Sequence, residues 1–318
     1  METRTLDVLV IGDLNPDIVV LDKTLTPVFG QVETLVEAIH LTVGGSAGIM
    51  ACGVSRLGLS VAACGAVGDD DLGRWMLGAL TARGVDTRHC VVDVAIPTGA
   101  TVILARGADR AILTALGTID QLRAQDVPDE VLAGVRHVHV ASTALQPRLR
   151  VGVPDLFRAA RSAGATSSFD ANWDPAERWD GIDELLSTAD ICFPNLEEGR
   201  RWTGLSDPEE VARAIVARAA RDRDPAAGPL TVALKLGRDG ALALRGEDVV
   251  RVRARRVAVI DTVGAGDSFD AGFVAATVSG WPLDEALRLA VACGSASTRA
   301  LGGVNGQATL DEAAELMR

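Results

Sequence analysis

Residues 261–273 read DTVGAGDSFDAGF and place three glycines and three aspartates where the pattern turns from extended chain toward helix. Glycine lets backbone N–H groups approach a ligand closely, and carboxylates accept protons or bind cations. Two glycine-loop chemistries fail at once. A dinucleotide fingerprint needs a third glycine where Phe269 stands, and an acid about twenty residues on within a βαβ unit. A Walker A loop needs Gly-Lys-Ser/Thr, and Asp267 with Ser268 takes that place. What remains is a turn into a helix whose free N–H groups, on Gly264, Ala265, Gly266 and Asp267, form an anion hole. A carboxylate beside an anion is repulsive unless it has a task. Asp267 could take the proton of an attacking hydroxyl as negative charge moves toward the hole, and a base beside a phosphate cradle means phosphoryl transfer. The plainer alternative makes Asp267 a helix-start acid favoured by the macrodipole.

In an open α/β sheet, ligands sit beyond the carboxyl ends of the strands. Five strand ends here carry acids, amides or glycines: Asn15 and Asp17, Asp170 and Asn172, Asn195 and Glu198, Lys235 and Gly237, and the glycine loop itself after VAVI, 257–260. A turn or a helix cap explains any single one of them. Their recurrence at one edge is what points to a site.

The strands that must position these residues are short β-branched runs alternating with amphipathic stretches. LDVLVIGDLN, VAACGAVG, VRHVHVAS, GATSSFD, ADICFPN and LTVALKLG read as strands. GSAGIMACGVSRLG closed by Gly58, DDLGRWMLGALTARG closed by Gly84, PDLFRAARSAG and DPEEVARAIVARAARDR read as helices. This alternation predicts an α/β fold, a mostly parallel sheet with helices on both faces. Residues 16–44 and 96–115 lack an intervening helix, read as β-hairpin material, and predict a small sheet covering a site.

A chain of 318 residues with 48% hydrophobic content can bury a large core. The net charge of −12 and the lack of a long basic run argue against nucleic acid as a partner. The arginine-rich RVRARR, 251–256, reads as an alternating exposed strand, and ARAIVARAARDR as one solvated helix face. Five scattered cysteines form no zinc or disulfide pattern. No apolar run suggests a signal peptide or membrane span, so the cytoplasm is the expected location.

The stretch DTVGAGDSFDAGF resembles the C-terminal signature of the ribokinase-like, or PfkB, family of carbohydrate kinases, and AVGDDDLGRWMLGALTARGVDT resembles its upstream segment. GDLNPDIVV is similar to the family's first-strand sugar-binding turn, VGGSAGIMACGVSRLG to its double-glycine helix and FDANW to its Asp-x-Asn loop. PNLEEG is similar to its Asn-x-x-Glu element, LKLGRDGALAL to its nucleotide-side strand pair and ACGSASTRALGG to the segment bordering adenine. The resemblance spans nearly the whole chain, 1–318, as a single ribokinase-like domain with a lid at 16–44 and 96–115. It implies an ATP-dependent sugar kinase in which Asp267 is the base and Gly264, Ala265 and Gly266 stabilise the transferring phosphoryl group. Asn15, Asp17, Gly44 and Gly45 would bind substrate hydroxyls, and Lys235, Gly237 and Gly240 would lie on the nucleotide side. Asn195 and Glu198 would organise Mg²⁺ indirectly around the phosphates, and Asp261 with the carbonyl of Val263 would hold a monovalent cation such as K⁺. The lid would close over the sugar and join two copies as a homodimer.

The chain also departs from that pattern. Ile49 stands where many sugar kinases carry Asn, which suits a substrate less hydroxylated on that side, and Val291 stands where ribokinases often carry Asn near the adenine. Arg106, Asp109 and Arg110 on the lid would matter for a sugar acid or sugar phosphate if they point inward. Nucleoside kinases of the family bring aromatic stacking partners from the lid, and with lid aromatics reduced to Phe29 a nucleoside is disfavoured. Pentoses, hexoses, nucleosides, sugar acids and sugar phosphates stay open as substrates, and so does a sugar- or nucleotide-binding sensor without turnover.

Overall fold

Alternate residues of the strand Leu6–Ile11 feed two separate cores: Val8 and Val10 enter one, Leu9 and Ile11 the other. A strand buried on both faces needs helices on both sides, and parallel pairing follows from the crossovers this requires. In this computed structural model, which describes residues 6–106 and 109–318, that strand lies near one edge of an eight-stranded sheet. The order is Asp248–Val252, Ala241–Arg245, Thr231–Lys235, Ile191–Cys192, Thr166–Phe169, Val135–Val140, Leu6–Ile11, Val61–Cys64. Ala241–Arg245 pairs antiparallel with both of its neighbours, and the remaining neighbours pair in parallel. Helices Ser46–Arg56, Ala265–Val278 and Leu283–Ser297 cover one face, and Val153–Ser162, Ile182–Thr188 and Pro208–Ala219 the other.

The two segments without helix form a second sheet, ordered Ala38–Val43, Pro16–Leu21, Ala100–Arg106, Asp109–Ala115. Each outer pair is antiparallel, and the two inner strands run parallel. Residues 107 and 108 of the expected lid, and 1–5 of the expected domain, lie outside the described residues.

Three expectations need correction. VAACGAVG is two strands: Val61–Cys64 stays in the main sheet, while Ala66–Gly68 leaves it to pair with Val91–Asp93. The break falls at Gly65, where a Cβ would come within 2.5 Å of the Gly12 carbonyl. Strand pairing along RVRARR ends at Val252, and 253–256 continues as loop. VAVI is also unpaired with any strand; Val259 and Ile260 are exposed, and the chain is anchored by Ile260 N and Asp261 N donating to the Thr298 carbonyl. The glycine loop therefore follows an extended bridge rather than a sheet strand. Alternation of apolar residues cannot separate these cases, because a cavity wall and a sheet face ask for the same pattern.

The helix Ala265–Val278 is buried nearly all round. Its small residues allow close crossing: a Cβ on Gly272 would lie 3.0 Å from Ala290 Cα in the neighbouring helix. Its aromatic residues fix it to the sheet, since Phe193 meets Phe273 edge-on at 5.5 Å and Phe269 at 6.4 Å between ring centroids. Cysteines 52, 64, 192 and 293 are buried free thiols, and Cys90 is a partly buried one. No helix among the described residues is long and apolar enough to cross a membrane. Phe273→Ala, which empties the centre of the aromatic cluster, is expected to destabilise the fold by about 3–5 kcal/mol, measured by urea unfolding. A loss below about 1 kcal/mol would mean that the cluster does not hold this helix.

Candidate active site

The helix Ala265–Val278 begins from Gly264, whose φ of 71° is a left-handed turn that glycine takes without strain. A side chain there would also collide, at 2.6 Å from Gly303 Cα and 2.9 Å from Ile49 Cγ2. The loop before it is clamped by one carboxylate: Asp261 accepts from Val263 N at 3.0 Å and from Gly302 N at 2.9 Å. So 261–264 is tied to 298–303, and the first-turn N–H groups at 265–267, which have no helical partners, are aimed from a fixed base.

Two cavities meet at this loop. One, of about 980 Å³, lies between the main sheet's carboxyl edge and the second sheet. The other, of about 480 Å³, lies between the loop 254–259 and the helices Ala265–Val278 and Leu283–Ser297. Lys235, Gly237, Thr262, Ala265 and Gly266 line both, so the helix start is the shared wall. Every strand-end residue singled out from the sequence borders the larger cavity: Asn15, Asp17, Asp170, Asn172, Asn195, Glu198, Lys235, Gly237 and Asp267. Gly45, Ile49 and Val263 are there as well. Gly240 and Val291 border the smaller one. Gly44 lies just behind the wall, where its missing side chain makes room for Asp17; a Cβ would sit 2.0 Å from Asp17 Oδ1. Asp261 acts from behind the loop. Phe29 is 96% exposed and away from both cavities. Arg106 and Asp109 pair with each other at 3.3 Å on the exposed hairpin, while Arg110 enters the larger cavity.

Buried charge dominates the junction. The Lys235 ammonium donates to Asp170 Oδ2 at 2.5 Å and Asp270 Oδ1 at 3.3 Å. Burial alone would favour its neutral form, but Asp170, Asp270 and Glu198 outweigh that and raise its pKa. Carboxylate oxygens of Asp170, Asp267 and Asp270 lie within 4.8 Å of one another, a spacing that suits a cation, and the ammonium meets two of the three. Burial, reinforced by Asp170, pushes the Asp267 carboxyl up to about 7. Burial with Asp13 and Asp261 nearby pushes Asp17 to about 7, and burial with Asp170 nearby does the same for Glu198. A carboxyl titrating near neutrality inside a cleft has the proton affinity that general-base work needs.

Neighbouring bonds fix the other groups. Asn15 Nδ2 donates to Asp17 Oδ1 at 3.3 Å and to Thr101 Oγ1 at 3.2 Å, tying the loop after the first strand to the small sheet. Asn195 and Glu198 form a capping box on the helix Leu196–Thr203: Asn195 Oδ1 accepts from Glu198 N, and Glu198 Oε2 accepts from Asn195 N. The box leaves the second carboxylate oxygen of a buried Glu198 beside the cleft, an oxygen donor of the kind a hard divalent cation takes. Asp261 carboxylate and the Val263 carbonyl are likewise oxygen donors suited to a monovalent cation.

Several site residues escaped the sequence reading. Asp13 accepts from Ser46 N and Ala47 N, both at 3.1 Å, and so caps the double-glycine helix across 33 residues of chain. Asp270 was in view in DTVGAGDSFDAGF, one turn from Asp267, yet its partner Lys235 is remote in sequence. Trp173 lines the larger cavity, although its signal was present in FDANW. Arg255 and Arg256, assigned to a solvated strand, line the smaller cavity instead.

Comparison with known proteins gives a consistent picture. The model of the pfkB family carbohydrate kinases matches residues 5–310. A 2-dehydro-3-deoxygluconokinase of Bacillus subtilis is 29% identical over 84% of this chain and 84% of its own. A ribokinase of Haemophilus influenzae is 29% identical over 99% of this chain and 98% of its own. The structure of Arabidopsis thaliana ribokinase complexed with ribose and ATP superposes with a TM-score of 0.82 at 23% identity, covering 98% of this chain and 99% of that one, a likeness of fold.

Removing the ammonium should leave Asp170 and Asp270 buried without a counter-charge. Lys235→Met is therefore expected to destabilise the protein by about 3–5 kcal/mol, and adding Asp170→Asn should recover part of that loss. Urea melts of both variants test this; equal midpoints for Lys235→Met and the unaltered protein would remove the ammonium from its compensating role.

Proposed function

Because the chain belongs to the pfkB family of carbohydrate kinases, we propose that it transfers the γ-phosphate of ATP to a hydroxyl of a small sugar, with Asp267 as the base. Its enzyme class is that of phosphotransferases with an alcohol acceptor. The observation that carries the assignment of roles is the position of Asp267 at a helix start shared by two cavities, with its carboxyl raised to about 7. In this reading the smaller cavity takes the nucleotide, with Val291 and Gly294 flanking the base and Arg255, Arg256, Gly237 and Gly240 around it. The larger takes the acceptor, and Asn15 Oδ1 and the Asp17 carboxylate accept hydrogen bonds from its hydroxyls above the backbone of Gly44 and Gly45.

The acceptor hydroxyl gives its proton to Asp267 as its oxygen attacks. Charge on the transferring group is met by the N–H groups of Gly264, Ala265 and Gly266, which are already oriented and need no reorganisation. Lys235 keeps Asp170 and Asp270 from adding their repulsion in full. Asn195 and Glu198 would hold Mg²⁺ through its waters, and the ion supplies charge neutralisation on the phosphates. A K⁺ on Asp261 and the Val263 carbonyl would stiffen the loop that carries the anion hole. Residues 16–44 and 96–115 act as a lid on one kinase domain, excluding water during transfer. The lid's outer face carries exposed Ile39, Leu41 and Leu113, which suits a second copy of the chain, giving a homodimer.

Asp267→Asn is expected to reduce turnover by more than a hundredfold while Mg-ATP still binds, read by ADP release and calorimetry; retention of a tenth of normal turnover would exclude Asp267 as the base. The base works deprotonated, so kcat/KM should fall about tenfold per pH unit below about 7 and level off above it. A flat profile from pH 5.5 to 8 would contradict the assignment. Replacing K⁺ by Na⁺ should lower kcat several-fold; an unchanged rate would remove the cation from Asp261 and Val263.

A further inference from the structure

The inner face of the small sheet has a polarity that runs in one direction. Strand register places Asp17 beside Thr101 and Thr101 beside Thr114; two residues further, Val19, Ile103 and Ile112 align; two further again, Leu21, Ala105 and Arg110 align. Side chains two apart on a strand share a face. The cavity wall obeys this, being lined by Asp17, Thr101, Ile103, Thr114, Ile112 and Arg110. From the end nearest the main sheet toward the hairpin tip, the face reads hydrogen-bonding, then apolar, then cationic. The first tier is already a bonded set, in which Asn15 Nδ2 donates to Thr101 Oγ1 and Thr101 shares a 3.2 Å hydrogen bond with Thr114. Across the cleft, Ile49 continues the apolar middle.

Arg110 is available in a way that the cleft's other cation is not. Lys235 is engaged by Asp170 and Asp270. Among the described residues the Arg110 guanidinium has a single ion-pair partner, Asp261, at 3.7 Å, and that carboxylate also accepts from Val263 N and Gly302 N. No described residue accepts a hydrogen bond from its five N–H groups, so apart from the 3.7 Å ion pair with Asp261 a planar fork faces the cavity with its donors free. The backbone of Arg110 is level with Leu21, four residues and about 13 Å along the sheet from Asp17. Its side chain turns back toward Asp261, which brings the charge over the cleft.

We propose that the acceptor is anionic: a sugar whose hydroxyls bind at Asp17, whose middle carries hydrogen in place of at least one hydroxyl, and whose far end is a carboxylate or phosphate held by Arg110. This rests on the kinase reading above and narrows its substrate class. A neutral polyol of the same length would set hydroxyls against Ile103 and Ile112 and leave the guanidinium with only its distant ion pair to Asp261. An anion placed at the other end would meet Asp13 and Asp17. The tiers therefore fix the orientation of the acceptor as well as its charge.

The test compares acceptors that differ at one end: D-fructose and D-ribose as neutral sugars, D-gluconate and 2-dehydro-3-deoxy-D-gluconate as carboxylates, and fructose 6-phosphate as a phosphate. ADP release and calorimetric binding are measured for the unaltered protein and for Arg110→Met, a change at a half-exposed position. The expected result is a kcat/KM at least tenfold higher for an anionic acceptor than for either neutral one, with the deoxy acid ahead of gluconate if the anion is a carboxylate. Arg110→Met should lower the anionic-to-neutral ratio at least tenfold, mainly through KM. A preference for fructose 6-phosphate over both acids would identify the anion as phosphate. Neutral sugars phosphorylated as well as anionic ones, or a ratio unmoved by Arg110→Met, would overturn this inference and leave the kinase reading standing. An acid that binds in an Arg110-dependent way while no acceptor yields ADP would support the Arg110 assignment and overturn the kinase reading instead.

Discussion

The ion pairs of Lys235 with Asp170 and Asp270 are the constraint on which the rest of the site depends. They join the strand Thr231–Lys235, the loop after Thr166–Phe169 and the helix Ala265–Val278 at a single buried point. Taking charges from water costs several kcal/mol per ion, and an arrangement of this kind persists only where each charge is met by an opposite one or a hydrogen bond. The geometry that satisfies the ammonium also brings Asp267 to the mouth of the cleft, one turn before Asp270 on the same helix. Fold stability and the position of Asp267 are thus set by the same contacts.

The acids that remain have raised proton affinities, which the buried ammonium offsets only in part for Glu198 and Asp267. Asp17, Glu198 and Asp267 all sit near neutrality for the same first reason, burial. The two buried histidines of Val135–Val140 show the same physics with opposite sign: burial lowers His137 to about 4 and His139 well below its usual value. They serve the core as neutral hydrogen-bonding groups, with Ser168 Oγ between them. Burial alone therefore does not mark function. What separates Asp267 from these residues is that it combines burial with an open cavity and the amides of a helix start, of which Ala265 N makes only a long 3.4 Å bond to the Thr262 carbonyl.

The loop geometry gives this charge its direction. Gly264 turns the chain, Asp261 ties the turn to 302, and the cavities on either side are kept apart by a wall one helical turn thick. The small sheet then faces that wall with a graded surface, polar near Asp17 and cationic near Arg110. Two ligands can approach the helix start from opposite sides, the arrangement that an in-line displacement needs.

The sequence alone determined the fold class, because the alternation of β-branched runs with amphipathic stretches admits few layer arrangements, and it singled out the glycine loop and Asp267, because free N–H groups at a helix start with a carboxylate beside them suit phosphoryl transfer. It also located the polar strand ends, since strand direction puts them at one edge whatever the details of packing. The tertiary structure decided the rest. Lys235 meets Asp270 across 35 residues and Asp13 caps a helix 33 residues away, and no local pattern encodes either meeting. VAVI and RVRARR have strand-like alternation but line a cavity, because a solvent-facing wall and a sheet face impose the same period. The direction in which Arg110 points was undecidable from the hairpin's composition. Strand register fixed it, since a shift of one residue would have turned the guanidinium to the outer face.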